Sequence, residues 1–283
     1  MNPKVCILRT AGTNCDKETA FAFAKAGGEP ELVHINQLVK KEKALDSFHI
    51  LALPGGFSYG DDLGAGKILA NELRFKLIDS IKRFIDDGKL IIGICNGFQV
   101  LVKSGLLPGN ADYRQEVSLV INDSGKFEDR WVYLKSQKSV GRGLAPVCNN
   151  VGTGRDLSVK SQKCIWTEGL PEVIYLPVAH GEGKFITGDD TVLKRLKENG
   201  QIVFQYCGET GGLPGYPCNP NGSADNIAGI CDQTGRILGL MPHPERHIDI
   251  LQHPRWTNRK QRKTEGDGLQ IFKNGVNYVK NNL

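Results

Sequence analysis

Residues 90–99, Leu-Ile-Ile-Gly-Ile-Cys-Asn-Gly-Phe-Gln, join two apolar runs through a turn with a cysteine at its apex. The first run is short and apolar throughout, so it reads as a strand covered on both faces. The second starts at Phe98 and predicts a helix. A strand-to-helix elbow of this kind holds a nucleophile in the open. Glycines two residues before and after the cysteine permit a tight turn where a Cβ would clash. The helix N-terminus behind Cys95 favours an anionic thiolate. A lone cysteine in an apolar run is more often inert core. The paired glycines tip the reading toward Cys95 as a covalent nucleophile.

The remaining pattern supplies a sheet for that elbow. Predicted strands at 5–8, 31–34 and Ile50–Leu53 alternate with a helix over Asp16–Lys25 and an amphipathic helix over 72–86, whose Leu73, Leu77 and Ile81 recur at fours. Alternation of this sort implies a parallel sheet with helices on both faces. Beyond it, 117–122 and 127–134 flank Asp-Ser-Gly-Lys and predict an antiparallel hairpin. Strands follow at 173–176, 203–206, Ile227–Cys231 and Ile237–Leu240, with a hairpin turn at 232–235. A helix over 267–280 closes the chain. Residues 136–163 lack periodicity and read as a basic loop or insertion within one domain spanning 1–283.

At 283 residues, 40% hydrophobic and 24% charged, the chain has an ordinary globular composition and length for a sizeable core. No apolar stretch approaches the ~20 residues of a membrane span. The first residues read as a strand and lack a secretion signal, which predicts a cytoplasmic protein. Eight cysteines at 6, 15, 95, 148, 164, 207, 218 and 231 form no Cys-x-x-Cys, so free thiols are expected. No ligand pair has the short spacing of a zinc site, and no metal is expected. The net charge of +5 is uneven. Lys138, Arg142, Arg155, Lys160 and Lys163 face Asp156 alone within 136–163. Arg255, Arg259, Lys260, Arg262 and Lys263 outnumber Glu265 and Asp267 within 253–268. These segments are candidates for a partner contact. No nucleic-acid module or aromatic-interleaved basic stripe is present, so no nucleic acid is expected.

A cysteine nucleophile gains from a base and a group that orients it. Gly-Leu-Met-Pro-His-Pro-Glu-Arg, residues 239–246, offers both. His243 follows an apolar run and so stands at a strand's end, where open α/β sheets place their chemistry. Glu245 lies two residues on, within reach of the imidazole. His243 and His247 share the spacing of a helical metal pair, but Pro244 argues against a helix there.

The elbow, the Leu-Pro-Gly-Gly-Phe-Ser-Tyr-Gly-Asp of 53–61 and the His-Pro-Glu of 243–245 together resemble the triad-type (class I) glutamine amidotransferases. Asn-Asp-Ser-Gly-Lys-Phe-Glu-Asp-Arg-Trp at 122–131 and Pro-Val-Ala-His-Gly-Glu-Gly-Lys-Phe at 177–185 narrow the likeness to the glutaminase components of phosphoribosylformylglycinamidine synthase. The resemblance spans nearly the whole chain except 136–163, which is longer and more basic than that pattern. It implies a flavodoxin-like fold and a triad of Cys95, His243 and Glu245 that hydrolyses glutamine to glutamate. Gly56 and Asn96 would supply oxyanion-hole N–H groups. Gly55, Gln99, His180, Gly181 and Glu182 would hold the glutamine; His180 as a second base is disfavoured because Glu245 pairs more naturally with His243. Ammonia would pass to a large synthetase subunit that makes formylglycinamidine ribonucleotide, in some cases with a small accessory subunit. No Gly-x-x-x-x-Gly-Lys-Ser/Thr loop occurs, so ATP and Mg²⁺ are expected on that partner and no cofactor on this chain. A cysteine hydrolase or peptidase on a similar sheet is the alternative, but it leaves Gln99 and residues 177–183 without a role. A non-catalytic regulator is a third reading, and it would not need Cys95, His243 and Glu245 together.

Overall fold

The computed structural model describes residues 2–110, 112–136, 164–213, 215–258 and 264–283. Nine strands form one sheet, in the order β2-β1-β3-β4-β11-β10-β9-β6-β7. β1 (Lys4–Arg9), β2 (Glu29–His34), β3 (Ile50–Leu53), β4 (Leu90–Ile94) and β11 (Ile237–Leu240) run parallel. β3, β4 and β11 are buried at every residue, as their unbroken apolar sequences require. β10 (Ile227–Cys231) returns antiparallel to β11 through the turn at 232–235. β9 (Ile202–Cys207), β6 (Glu128–Ser136) and β7 (Val173–His180) extend the sheet by antiparallel pairing. Strand β2 sits at the edge, which is where its Pro30, lacking an N–H, is tolerated.

The helices fill in around this sheet. α1 (Asp16–Lys25) ends before Gly27, whose φ is +88°. α2 (Ile35–Val39) is a short turn that the apolar pattern did not signal. The helix expected over 72–86 begins earlier, as α3 (Lys67–Glu72), widens into a π turn over Leu73–Leu77, and resumes as α4 (Ile78–Asp86). α5 (Asn96–Lys103) follows the elbow, and α6 (Asp190–Glu198) is capped by Asp189, whose carboxylate accepts from the Thr191 and Val192 N–H groups. α7 (Leu269–Asn282) closes the chain, with Phe272 edge-on to Phe23 of α1 at 4.9 Å.

The hairpin expected from 117–122 and 127–134 does not form. β5 (Val117–Val120) pairs instead with β8 (Lys184–Thr187) in a separate two-stranded sheet, while β6 pairs with β7 and β9. The turn itself is present, with Gly125 N–H donating to Asn122 O at 2.8 Å. Its residues are committed elsewhere, however. Asn122 donates to the carbonyls of Gly181, His180 and Lys126, and its Oδ1 accepts from Gly183 N–H. A local turn signal cannot show that the strands it joins find more distant partners. Residues 137–163 and 259–263, most of the two basic segments, lie outside the described residues.

Candidate active site

The register of the sheet brings three strand ends together. Leu53 of β3 is level with Gly93 of β4, and Ile94 is level with Leu240 of β11. The segments that follow therefore emerge side by side: Gly55-Gly56 after β3, Cys95 after β4 and His243 after β11. Cys95 N–H donates to Leu240 O at 2.8 Å, tying the elbow to the neighbouring strand. Its φ of +50° and ψ of −105° are strained for a residue with a side chain, the conformation expected of a nucleophile elbow. The flanking glycines act through space rather than through torsion. A Cβ on Gly97 would lie 1.9 Å from Leu53 O, and one on Gly93 would lie 2.6 Å from Gly97 O. Their bare backbones let α5 settle onto β3 and β4.

His243 and Glu245 are buried, 2% and 1% exposed, and the imidazole Nδ1–H donates to Glu245 Oε1 at 2.7 Å. That bond leaves Nε2 for chemistry. Prolines on both sides of His243 keep the segment out of a ladder, and His243 N–H donates to Pro177 O of β7 at 2.8 Å. Burial alone would lower the His243 pKa. The carboxylate of Glu245 and the sulfur of Cys95 override it and hold the imidazole well above its usual value. Gly55 marks the meeting point: a Cβ there would stand 2.7 Å from His243 Cε1, 3.2 Å from Cys15 Sγ and 3.4 Å from Cys95 Cβ. Cys95 and His243 are thus brought to the same small space.

A cavity of about 200 Å³ opens beside the sulfur, lined by Cys95, Gly56, Gln99, His180, Gly181 and Glu182, together with Phe57, Asp61, Ala65, Phe127 and Ala179. Gly56 has φ +137°, and a Cβ would lie 2.7 Å from Asn14 N, so only glycine fits. Asn96 opens α5, where backbone N–H groups lack an intrahelical acceptor. Its side chain donates to Asp61 Oδ1 and Gln99 Oε1, both of which line the cavity, and accepts from Ser58 N–H. Gln99 lines the cavity, and its amide donates to Glu182 O at 2.6 Å, so it braces the 180–182 turn. His180 donates from Nδ1 to Asn122 Oδ1 at 3.2 Å, and burial, aided by the nearby His243, drives its pKa down to about 3. It is neutral at physiological pH. Glu182 accepts from Ala65 N–H and stands 3.9 Å from Lys103 Nζ. A larger hollow of about 440 Å³ near Gly169 and Gln270 is lined by neither cysteine nor histidine.

Cys15, Asp61 and Asn122 were not among the candidates from the sequence. Asp61 anchors Gly66 N–H and the Asn96 amide, and burial raises its pKa. Its place at the end of the Gly-Gly-Phe-Ser-Tyr-Gly-Asp run was the available signal. Asn122 and Cys15 reach the site only through pairing distant in sequence.

The CobB/CobQ-like glutamine amidotransferase domain matches residues 2–143 and 154–279. The chain is 49% identical to the phosphoribosylformylglycinamidine synthase subunit PurQ of Dehalococcoides mccartyi, over 98% of both chains. It is 44% identical to that of Methanococcus maripaludis, over 98% of this chain and 97% of the relative. Among solved structures, PurLQS from Thermotoga maritima contains a chain 30% identical to this one, with a TM-score of 0.69 and coverage of 99% and 100%. A putative GMP synthase subunit from Thermoplasma acidophilum shares the fold at 16% identity and a TM-score of 0.53. The chain belongs to the PurQ family of phosphoribosylformylglycinamidine synthase subunits, within the glutamine amidotransferases.

Proposed function

We propose that this chain is the glutaminase subunit of phosphoribosylformylglycinamidine synthase and that Cys95, His243 and Glu245 carry its chemistry. The observation that carries the assignment of roles is the 2.7 Å His243–Glu245 bond behind an elbow cysteine at the mouth of a cavity. The raised His243 pKa favours an imidazolium, which can donate a proton from Nε2. The Cys95 thiolate attacks the side-chain amide carbon of glutamine. N–H groups of Gly56 and Asn96 receive the developing oxyanion, each worth about 10²–10³ in rate by comparison with known oxyanion holes. His243 Nε2–H protonates the leaving nitrogen, ammonia departs, and a thioester to Cys95 remains. The neutral imidazole then takes a proton from water, whose attack releases glutamate and the thiol. Asp61 and Glu182 give one cavity wall negative character suited to the α-ammonium group. The 180–182 backbone, braced by Gln99, faces the α-carboxylate. A peptidase reading has no use for so confined a cavity.

The ammonia passes to a separate ATP-dependent synthetase subunit, with a small third subunit completing the complex, as the PurLQS composition of the Thermotoga relative suggests. ATP and Mg²⁺ belong to that partner and no cofactor to this chain. All described cysteines are free thiols, which suits a reducing cytoplasm. No helix among the described residues is long and apolar enough to cross a membrane. The test is glutamate release from glutamine by the chain alone and with the synthetase subunits. Slow release that rises with the partners, and is abolished by Cys95→Ser, is the expected result. Release unaffected by Cys95→Ser overturns the nucleophile.

A further inference from the structure

Residues 180–183 form the cavity wall that leaves β7, and with glycine at 181 and 183 this turn has little conformational preference of its own. Its shape is set by side chains, chiefly by one that does not line the cavity. Asn122, between β5 and β6, is buried, and its Nδ2 donates to His180 O at 2.8 Å and to Lys126 O at 2.9 Å. Its Oδ1 accepts from Gly183 N–H at 2.9 Å, and its backbone N–H donates to Gly181 O at 2.9 Å. A backbone N–H only donates and a carbonyl only accepts, so these partners fix which end of the amide is oxygen. That oxygen faces His180 Nδ1 at 3.2 Å, so Nδ1 carries the proton. All four hydrogen-bonding positions of the Asn122 amide are thereby occupied.

The other carbonyls of the turn are held as well. Glu182 O accepts from Gln99 at 2.6 Å. Gly183 O accepts at 2.8 Å from Asn221 Nδ2, a fully buried side chain that also donates to the Tyr206 hydroxyl at 3.2 Å. Asn221 is itself fixed, since its Oδ1 accepts from Ser223 N–H at 3.0 Å and from Ser223 Oγ at 2.7 Å. Among the described residues the N–H groups of Gly181 and Glu182 have no protein acceptor. With its carbonyls bound behind it, the turn offers those two donors to an anion.

We propose that Asn122 is a positioning residue for glutamine recognition: it does not touch the substrate, and it holds the 180–183 turn so that the Gly181 and Glu182 N–H groups meet the α-carboxylate. Asn221 supports the same turn through Gly183. Removing the Asn122 amide leaves His180 O and Gly183 N–H without their partner, and the turn relaxes to satisfy them. The loss falls on recognition of the α-carboxylate and leaves the reactivity of Cys95 in place. This rests on the reading that the 180–182 backbone faces the α-carboxylate of glutamine.

Two electrophiles separate recognition from reactivity. 6-Diazo-5-oxonorleucine carries the α-ammonium and α-carboxylate groups of glutamine; iodoacetamide carries neither. Alkylation of Cys95 in the full chain is followed over time by peptide mass mapping. In Asn122→Ala the diazo reagent should react about tenfold more slowly or worse, the effect expected for weakened hydrogen bonds to a charged group. Iodoacetamide should stay close to its native rate. The glutamine KM should rise by a similar factor, with kcat little changed. Asn221→Ala removes one bond to the turn and should show the same pattern more weakly; it decides the matter if Asn122→Ala does not fold. Equal slowing toward both reagents, or no slowing toward either, in the variants that fold overturns the role. A native chain that the diazo reagent does not label at Cys95 overturns the glutaminase reading instead, so the two failures are told apart.

Discussion

Cys95 works through neighbours that act on it from two directions. The elbow fixes where its sulfur can be, and His243 decides which proton is where. Burial by itself would strip the proton from His243; Glu245 and Cys95 reverse that, so the imidazolium persists well above the usual histidine range. The sign for catalysis follows. The leaving nitrogen needs a proton from His243, and the protonated form is retained until pH rises through the raised pKa. The glutaminase kcat should therefore hold steady across pH 6.5 and fall only on the alkaline side. Glu245→Gln removes one of the charges that raise the pKa, so its alkaline limb should move to lower pH and its kcat should fall. A pH–kcat profile of the two chains checks this, and an unmoved limb would separate Glu245 from the imidazole. Little of this tuning is visible in the sequence beyond the His-Pro-Glu spacing. The desolvation that opposes it comes from strands far away in the chain.

At the scale of elements, two glycines beside the same elbow do different work. Gly97 lets α5 lie against β3, where a Cβ would meet a backbone carbonyl at 1.9 Å. Backbone cannot yield as a side chain can, so Gly97→Ala should cost about 2 kcal/mol or more of stability. Gly55 instead keeps room between His243, Cys15 and Cys95. Gly55→Ala should displace the imidazole and lower kcat by about 10²-fold, with a smaller change in stability. Denaturant unfolding and glutaminase assays on both variants distinguish the two roles; equal effects on stability and rate would contradict them. The strand–elbow–helix unit was legible because its apolar runs and glycine spacing are local. The hairpin at 117–134 was misread for the same reason in reverse. Asn122 looks like turn chemistry, yet its side chain is spent on the 180–183 turn. The helix at Asp190–Glu198 was also missed, although Asp189 marks its start.

Across the whole molecule, the five parallel strands that place Cys95, Gly55 and His243 continue into four antiparallel ones. The last of these, β7, runs back to deliver His180 and the cavity wall. The site is thus closed by residues from both parts of the sheet, which is why no single stretch of sequence displays it. The parallel half was legible from alternating strand and helix patterns. The partners of β5 and β6 depend on long-range register that a single sequence does not carry.

Alkylation of the intact chain by 6-diazo-5-oxonorleucine, a glutamine-like electrophile, followed by peptide mass mapping, tests the central assignment most directly. One adduct per chain on Cys95, prevented by excess glutamine and absent in Cys95→Ser, is the expected result. An adduct on Cys15 or another cysteine, with Cys95 unmodified, would contradict it.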